Sequence, residues 1–193
     1  LAGDVLNPWF VWAGRAVLAA IAGAAYLLLT SAPWPPRKAW LPLAGATAGI
    51  VFDWPLLNTL ALQSVPASHA AVVNGILPLA TAVIGAWLNR ETLSRGFWAC
   101  AVAGTVLVCG YALHRAHGSL HREDALMLVS VLLGGLGYAS GALATRHLSG
   151  PQAISWALIL GLPGTVLIAA VSAPTNPQAA PMQSWLAFVY LGL

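Results

Sequence analysis

Charged residues are scarce in this sequence: eight Lys and Arg and five Asp and Glu make up only 7% of its 193 residues. A water-soluble domain normally carries about 25% charged residues, so this chain has too few to cover a soluble surface. Hydrophobic residues make up 59%, which excludes an intrinsically disordered chain, because disordered segments are poor in apolar residues. The composition predicts an integral membrane protein whose main surroundings are the lipid bilayer.

Cysteine and clustered basic charge are also lacking. The two cysteines, Cys100 and Cys109, lie nine residues apart in one apolar segment. On a helix this spacing is ~13 Å along the axis, which is too far for a disulfide. The formal net charge is +3, but the basic residues are scattered and form no single basic face, so we expect no nucleic-acid partner.

The motifs of common enzymes are missing as well. The sequence has no histidine–glutamate metal helix, no nucleophile elbow and no phosphate-binding glycine loop. His114, His117 and His121 share a polar loop with Gly118. A solvated loop is the better interpretation, because the loop is short and the glycine breaks any helix that would align the three rings. We therefore expect no enzymatic activity, no cofactor and no metal site.

Long apolar runs are what the sequence does have. A membrane-spanning helix needs about 20 apolar residues, and six runs have about that length: 9–29, 39–62, 67–88, 96–113, 125–146 and 151–172. A seventh run starts near Trp185 and is cut off by the end of the chain. Short connections with turn residues join the runs. We predict an all-α fold, a polytopic transmembrane helical bundle with about six complete spans and a truncated seventh.

The distribution of Lys and Arg between the loops predicts the orientation. If the spans alternate in direction, five basic residues lie on one side: Arg37, Lys38, Arg90, Arg95 and Arg146. Two lie on the other side, Arg115 and Arg122. The side with more Lys and Arg is normally cytoplasmic. The first visible span then runs inward, which is odd for a natural start and suggests a fragment that lacks one N-terminal helix.

Small residues at four-residue spacing predict two close helix contacts. Gly45 and Gly49 form one such pair, and Gly137 and Gly141 form another. Such pairs let two helix backbones approach closely in a membrane. The alternative is that the pairs arise by chance, because Gly and Ala are abundant in this chain.

Two ionisable residues lie at membrane depth, Arg15 in the first span and Asp53 in the second. Antiparallel neighbouring helices would place them within about one turn of each other in depth. Either charge alone would be costly in hydrocarbon, so the sequence predicts a buried ion pair. In the functional interpretation Asp53 is a proton or cation site that exchanges partners during transport. In the structural interpretation the pair is a static strut.

Further candidates for a cavity lining are Asn58, Asn74, Pro78 and Tyr138. Asn74, Pro78 and Thr81 recur at the spacing of one helical face. Pro78 also loosens the preceding turn, near Asn74. The alternative for the asparagines is hydrogen bonding between neighbouring helices, and for Tyr138 it is ordinary packing.

Several stretches resemble the EamA-type drug/metabolite transporters. The stretch ALQSVPASHAA at 61–71 resembles the loop and helix start of that family, and Glu91 stands at the matching helix end. The stretch GTVLVCG at 104–110 resembles the end of the following helix. Arg15 resembles the arginine of the family's second helix, and 137–146 resembles the opening helix of its second repeat. Asp53 departs from the pattern, because most relatives are uncharged there.

The resemblance implies ten helices in two inverted repeats of five. On that plan residues 1–118 are a first repeat without its first helix, and residues 119–193 are the start of a second repeat, truncated at its C-terminus. It implies a transporter that moves small metabolites, namely amino-acid-like or amphipathic compounds, across the bacterial inner membrane. We expect efflux or exchange by alternating access of a site between the two repeats. Both a monomer and a homodimer are compatible with the sequence. The alternative function is a non-transporting helical membrane scaffold or a channel.

Overall fold

Helices form all the regular structure in the residues that the computed structural model describes, namely 7–90, 92–115, 122–174 and 181–192. They are α1 (Pro8–Leu29), α2 (Trp40–Ala46), α3 (Trp54–Ala61), α4 (Ala67–Asn74), α5 (Leu77–Asn89), α6 (Arg95–Arg115), α7 (Arg122–Ala144), α8 (Gly150–Val171) and α9 (Met182–Gly192). A 3₁₀ turn, Arg37–Ala39, precedes α2, and a π-helix, Thr47–Asp53, joins α2 to α3. Together Arg37–Ala61 form one continuous stretch, named here the second span.

The predicted all-α bundle is confirmed. Within the described part of the chain, four helical stretches are long and apolar enough to cross a membrane: Pro8–Leu29, Arg37–Ala61, Ala125–Ala144 and Gly150–Val171. Two shorter apolar helical stretches, Leu77–Asn89 and Arg95–Val108, accompany them. The boundaries follow local chemistry. For example, α1 begins where Asn7 accepts a hydrogen bond from the Trp9 backbone N–H, with Pro8 in the first helical position.

The run predicted at 67–88 is two helices. α4 ends at Asn74, and α5 begins at Leu77 directly before Pro78. Proline has no backbone N–H and its ring collides with the preceding turn, so the helix breaks at Gly75 and Ile76. The predicted loosening near Asn74 is confirmed.

Glycine contacts bring the second span against α7, as the two glycine pairs predict. A Cβ on Gly49 would meet the Leu133 carbonyl and lie 2.5 Å from Gly137 Cα, and one on Gly45 would lie 2.6 Å from Ser140 Oγ. A Cβ on Gly141 would be in ordinary contact with Ala46 Cβ, 3.9 Å away. Backbones this close need glycine on both sides of the crossing, since any side chain would separate the helices.

The most extensive partner of α1 is α8, which is distant in sequence. A Cβ on Gly23 would lie 3.2 Å from Ser155 Cα. α8 also contacts the second span, where Thr47 donates a buried 2.9 Å hydrogen bond to the Ala157 carbonyl. α8 therefore packs against both α1 and the second span, and α7 lies on the second span through the glycine pairs.

One hydrophobic cluster fixes which ends lie together. Ala39 at the start of the second span packs with Ala144 at the end of α7 and Leu148 beyond it. Arg37, Lys38 and Arg146 are therefore at the same end of the bundle, as the alternation of spans predicts.

Candidate functional site

Four polar side chains from three helices form one hydrogen-bonded cluster, named here the asparagine cluster: Trp54, Asn58, Asn74 and Ser130. Asn74 Nδ2 donates to Asn58 Oδ1 over 2.6 Å, and Trp54 Nε1 donates to Asn74 Oδ1 over 3.1 Å. Asn58 Nδ2 donates to Ser130 Oγ over 2.6 Å and to the Trp54 carbonyl over 2.9 Å. The cluster ties α3, α4 and α7 together at one depth.

Every polar side-chain atom of Asn58 and Asn74 has a partner in this cluster. The remaining bonds run from Asn74 Nδ2 to the Ala70 carbonyl, 3.0 Å, and from Ser130 Oγ to the Trp54 carbonyl, 3.1 Å. Half-buried amides that are fully bonded in this way stabilise helix packing. The two asparagines therefore form hydrogen bonds between helices, which was the predicted alternative to lining a cavity. They also hold the Trp54 ring in place.

Tyr138 lies beside this cluster, because its ring packs edge-on against Trp54 with 6.3 Å between ring centroids. Tyr138 also lines an apolar cleft of about 290 Å³ between the second span, α7 and α8. The cleft is lined by residues from all three, including Ile50, Ala142, Thr145, Ile154 and Ala157. A small-molecule site is typically a cleft of this kind, with mostly apolar walls and a few polar groups.

Helix α7 has two exposed faces that carry different kinds of side chain. One face carries Val129, Leu132 and Leu136, which are 47%, 57% and 40% exposed. The other carries Tyr138, Ala142 and Thr145, which line the cleft. Tyr138 follows Leu136 by two residues, about 200° around the helix. Large aliphatic side chains face one way, and an aromatic, a small and a hydroxyl side chain face the other.

Pro78 lies elsewhere. It lines a second groove of about 320 Å³ between α5 and α6, with Leu79, Phe97, Cys100 and Thr105 among its walls. Asn74 points instead to Trp54 and Asn58. The helix break between Asn74 and Pro78 separates the two side chains, so the predicted common face of Asn74, Pro78 and Thr81 is not kept.

The predicted ion pair between Arg15 and Asp53 is not formed. Both side chains are half-buried, and within the described ranges neither has an ionic partner. The prediction assumed that helices adjacent in sequence pack along their length. Instead α1 packs chiefly on α8, and it touches the second span where Trp12 contacts Phe52, with ring centroids 5.8 Å apart.

Two members of the asparagine cluster, Trp54 and Ser130, were not among the predicted site residues. Ser130 is fully buried and is one hydroxyl in an otherwise apolar stretch of α7. A polar side chain at membrane depth seeks a partner, and that was the signal available for Ser130. For Trp54 the available signal was its position directly before Pro55, in the middle of a span.

Some candidate positions lie outside the described residues, namely Glu91, His117 and His121 and the side chain of Cys109. His114 and Cys100 are exposed. Among the residues that the structure describes, no three His, Cys, Asp or Glu side chains are grouped so that they could hold a metal ion.

Comparisons with known proteins give a consistent result. The model of the EamA-like transporter family matches residues 1–112. A curated protein of Bacillus subtilis (strain 168), described as "Uncharacterized transporter YdeK", is 38% identical over 193 residues, which is 100% of this chain and 67% of the relative. No solved structure is significantly similar to this chain.

Proposed function

Because this chain belongs to the EamA-like transporter family, we propose that it moves small amino-acid-like or amphipathic metabolites across the membrane by alternating access. The proposed direction is efflux or exchange, the proposed location is the bacterial inner membrane, and the protein carries out no enzymatic reaction of its own. Family membership and the apolar helices support the coarser statement, a membrane transporter. The cleft at Tyr138 supports the proposal that the substrates are small metabolites.

The observation that carries the proposal is the chemistry of the cleft walls. Ile50, Ala142, Ile154 and Ala157 make the cleft almost wholly apolar, Tyr138 adds an aromatic side chain, and the Thr145 hydroxyl donates to the Ala142 carbonyl over 2.7 Å. The apolar part of an amphipathic metabolite matches such walls. The asparagine cluster helps to position Tyr138 in the cleft wall, because it fixes the Trp54 ring against which Tyr138 packs.

The helices that form the cleft support the proposal of alternating access. The second span comes from the predicted first repeat (1–118), and α7 and α8 come from the predicted second repeat (119–193). A site between two repeats can be opened to either side when one repeat rocks against the other. Irregular backbone is available for such motion in the π-helix Thr47–Asp53 and at the break before α5.

The test is counterflow in proteoliposomes that contain the full polypeptide. Labelled leucine, phenylalanine and threonine are offered outside vesicles loaded with the same unlabelled compound. We expect saturable, transient accumulation of at least one of them. Tyr138→Ala is expected to reduce this flux by about 10-fold or more, because it removes both the ring and the hydroxyl from the cleft wall.

The matched control removes an aromatic ring from a surface that has no part in the cleft. Trp87 in α5 is 77% exposed, so Trp87→Ala is expected to keep the flux of the native protein. Folded protein that moves none of a broad panel of metabolites would favour the alternative, a scaffold. Unsaturable flux would favour a channel.

A further inference from the structure

One glycine in the wall of the cleft at Tyr138 is not needed for helix packing. A Cβ on Gly137 would lie 2.8 Å from Gly49 Cα, so the crossing of α7 with the second span requires glycine at that position. Gly141, one turn further along α7, lines the cleft. A Cβ on Gly141 would meet the second span only at ordinary contact distance, with Ile50 Cδ1 as the nearest atom at 3.8 Å. Alanine would therefore fit there without moving either backbone.

The backbone conformation does not require glycine at this position either. Gly141 lies three residues before the end of α7, and its backbone is helical. In a helix glycine is less favourable than alanine, because it loses more conformational freedom on folding. Since neither close packing nor a special backbone angle explains this glycine, the remaining effect of its missing side chain is the space that it leaves in the cleft.

The cleft wall opposite Gly141 is the side chain of Ile50, and this wall is held in place. Ile50 packs against the hydrophobic cluster that joins the second span to the end of α7 and the start of α8. The next residue, Val51, accepts the 3.1 Å hydrogen bond from Trp12, which ties this part of the π-helix to α1. The gap between Gly141 and Ile50 therefore has one wall that is fixed and one that carries no side chain.

We propose that Gly141 is the size-determining residue of this cleft, and that the gap between Gly141 and Ile50 limits how bulky an apolar group of the substrate can enter. The inference rests on the proposed function, because it takes the cleft as the substrate site, and it adds a residue that sets specificity. One methylene group in an apolar pocket changes discrimination between substrates by about 10-fold or more. Glycine at position 141 thus admits apolar groups that a larger residue would exclude.

The test compares substrates that differ in the bulk of their side chain. Labelled alanine, valine, leucine and phenylalanine are offered in turn to proteoliposomes that contain the full polypeptide, in the counterflow assay. Gly141→Ala is expected to lower the uptake of leucine and phenylalanine by about 10-fold relative to the uptake of alanine. Gly141→Val is expected to lower it further. A variant that is merely damaged would lose the uptake of all four compounds alike.

A second substitution on the opposite wall tests whether the lost space is the cause. Ile50→Val removes Cδ1, the atom nearest to the methyl group that Gly141→Ala adds. The double variant is expected to recover most of the lost uptake of leucine and phenylalanine. A double variant with the same size preference as Gly141→Ala alone would show that the gap between these two residues does not set the size limit, and would overturn the inference.

Gly85→Ala is the matched control. Gly85 lies inside α5, and a Cβ there would also have only ordinary contacts, the nearest being Ala139 Cβ at 3.9 Å. The residue lies outside the lining of the cleft. Gly85→Ala is therefore expected to keep the size preference of the native protein. In denaturant, Gly141→Ala is expected to be at least as stable as Gly85→Ala. A much lower stability of Gly141→Ala would identify Gly141 as a packing residue and overturn the inference.

The outcomes distinguish this inference from the proposed function. Saturable uptake whose size preference is the same in the native protein and in both Gly141 variants would overturn the inference and leave the transport function standing. Failure of folded native protein to move any metabolite would overturn both.

Discussion

Trp12 donates its indole N–H to the carbonyl of Val51, the acceptor that the backbone of Pro55 would have bonded in a regular α-helix. Proline has no N–H, so its position in the second span leaves that carbonyl without its usual donor. Trp12 is almost fully buried, at 1% exposure, and replaces the missing donor from another helix. A tryptophan in α1 therefore supports the π-helix that carries Asp53 and the glycine contact with α7.

This relationship predicts a non-additive pair of substitutions. Trp12→Phe keeps a ring but removes the donor, and is expected to cost about 1–2 kcal/mol of unfolding free energy. In the presence of Pro55→Ala, which restores a backbone N–H, the same substitution is expected to cost less. Unfolding in mixed micelles of the two single variants and the double variant measures the coupling. Equal costs in both backgrounds would show that the indole hydrogen bond does not compensate for Pro55.

A second prediction concerns the crossing of the second span and α7. Gly49→Ala places a methyl group against Leu133 and Gly137, so it must separate the two backbones, and is expected to cost about 1–3 kcal/mol. Gly104→Ala is the control, because a Cβ there meets nothing within 4 Å and alanine favours the helix. If the two variants unfold at the same denaturant concentration, the crossing is not as close as described.

A third prediction tests the asparagine cluster. Asn74→Ala leaves Trp54 Nε1 and Asn58 Oδ1 without their partners, and is expected to cost about 1–2 kcal/mol of stability. Thr105→Val is the comparison, because the Thr105 hydroxyl bonds to the Ala101 carbonyl of its own helix. Thermal unfolding in detergent measures both variants. A stability of Asn74→Ala equal to that of the native protein would contradict a structural role for this cluster.

The spans were predictable because their signals are local. Apolar length, turn residues and proline chemistry set where each helix begins and ends, and the break before Pro78 follows from one residue. The glycine pairs at 45–49 and 137–141 were predictable as contact faces, because only small residues permit close backbones. Which face meets which partner is a long-range property, and the sequence pattern alone did not show it.

The candidate site was predictable only in part for the same reason. Asn58 and Asn74 stood out as polar residues at membrane depth, and they do meet. Ser130 is the partner of Asn58 from α7, 72 residues later, and no spacing connects the two. The ion pair of Arg15 and Asp53 failed because it assumed that sequence neighbours pack along their length, whereas α8 is the main partner of α1.

The most direct test of the central claim, that the cleft at Tyr138 is the substrate site, is labelling of Ala142→Cys in a Cys100→Ser, Cys109→Ser background. Ala142 lines the cleft one turn from Tyr138. In proteoliposomes its thiol is expected to react with membrane-impermeant maleimide from either side, and saturating transported substrate is expected to slow this reaction several-fold. Leu132→Cys on the opposite, aliphatic face is expected to show no substrate effect. Equal reaction rates of the Ala142→Cys protein with and without substrate would contradict the account.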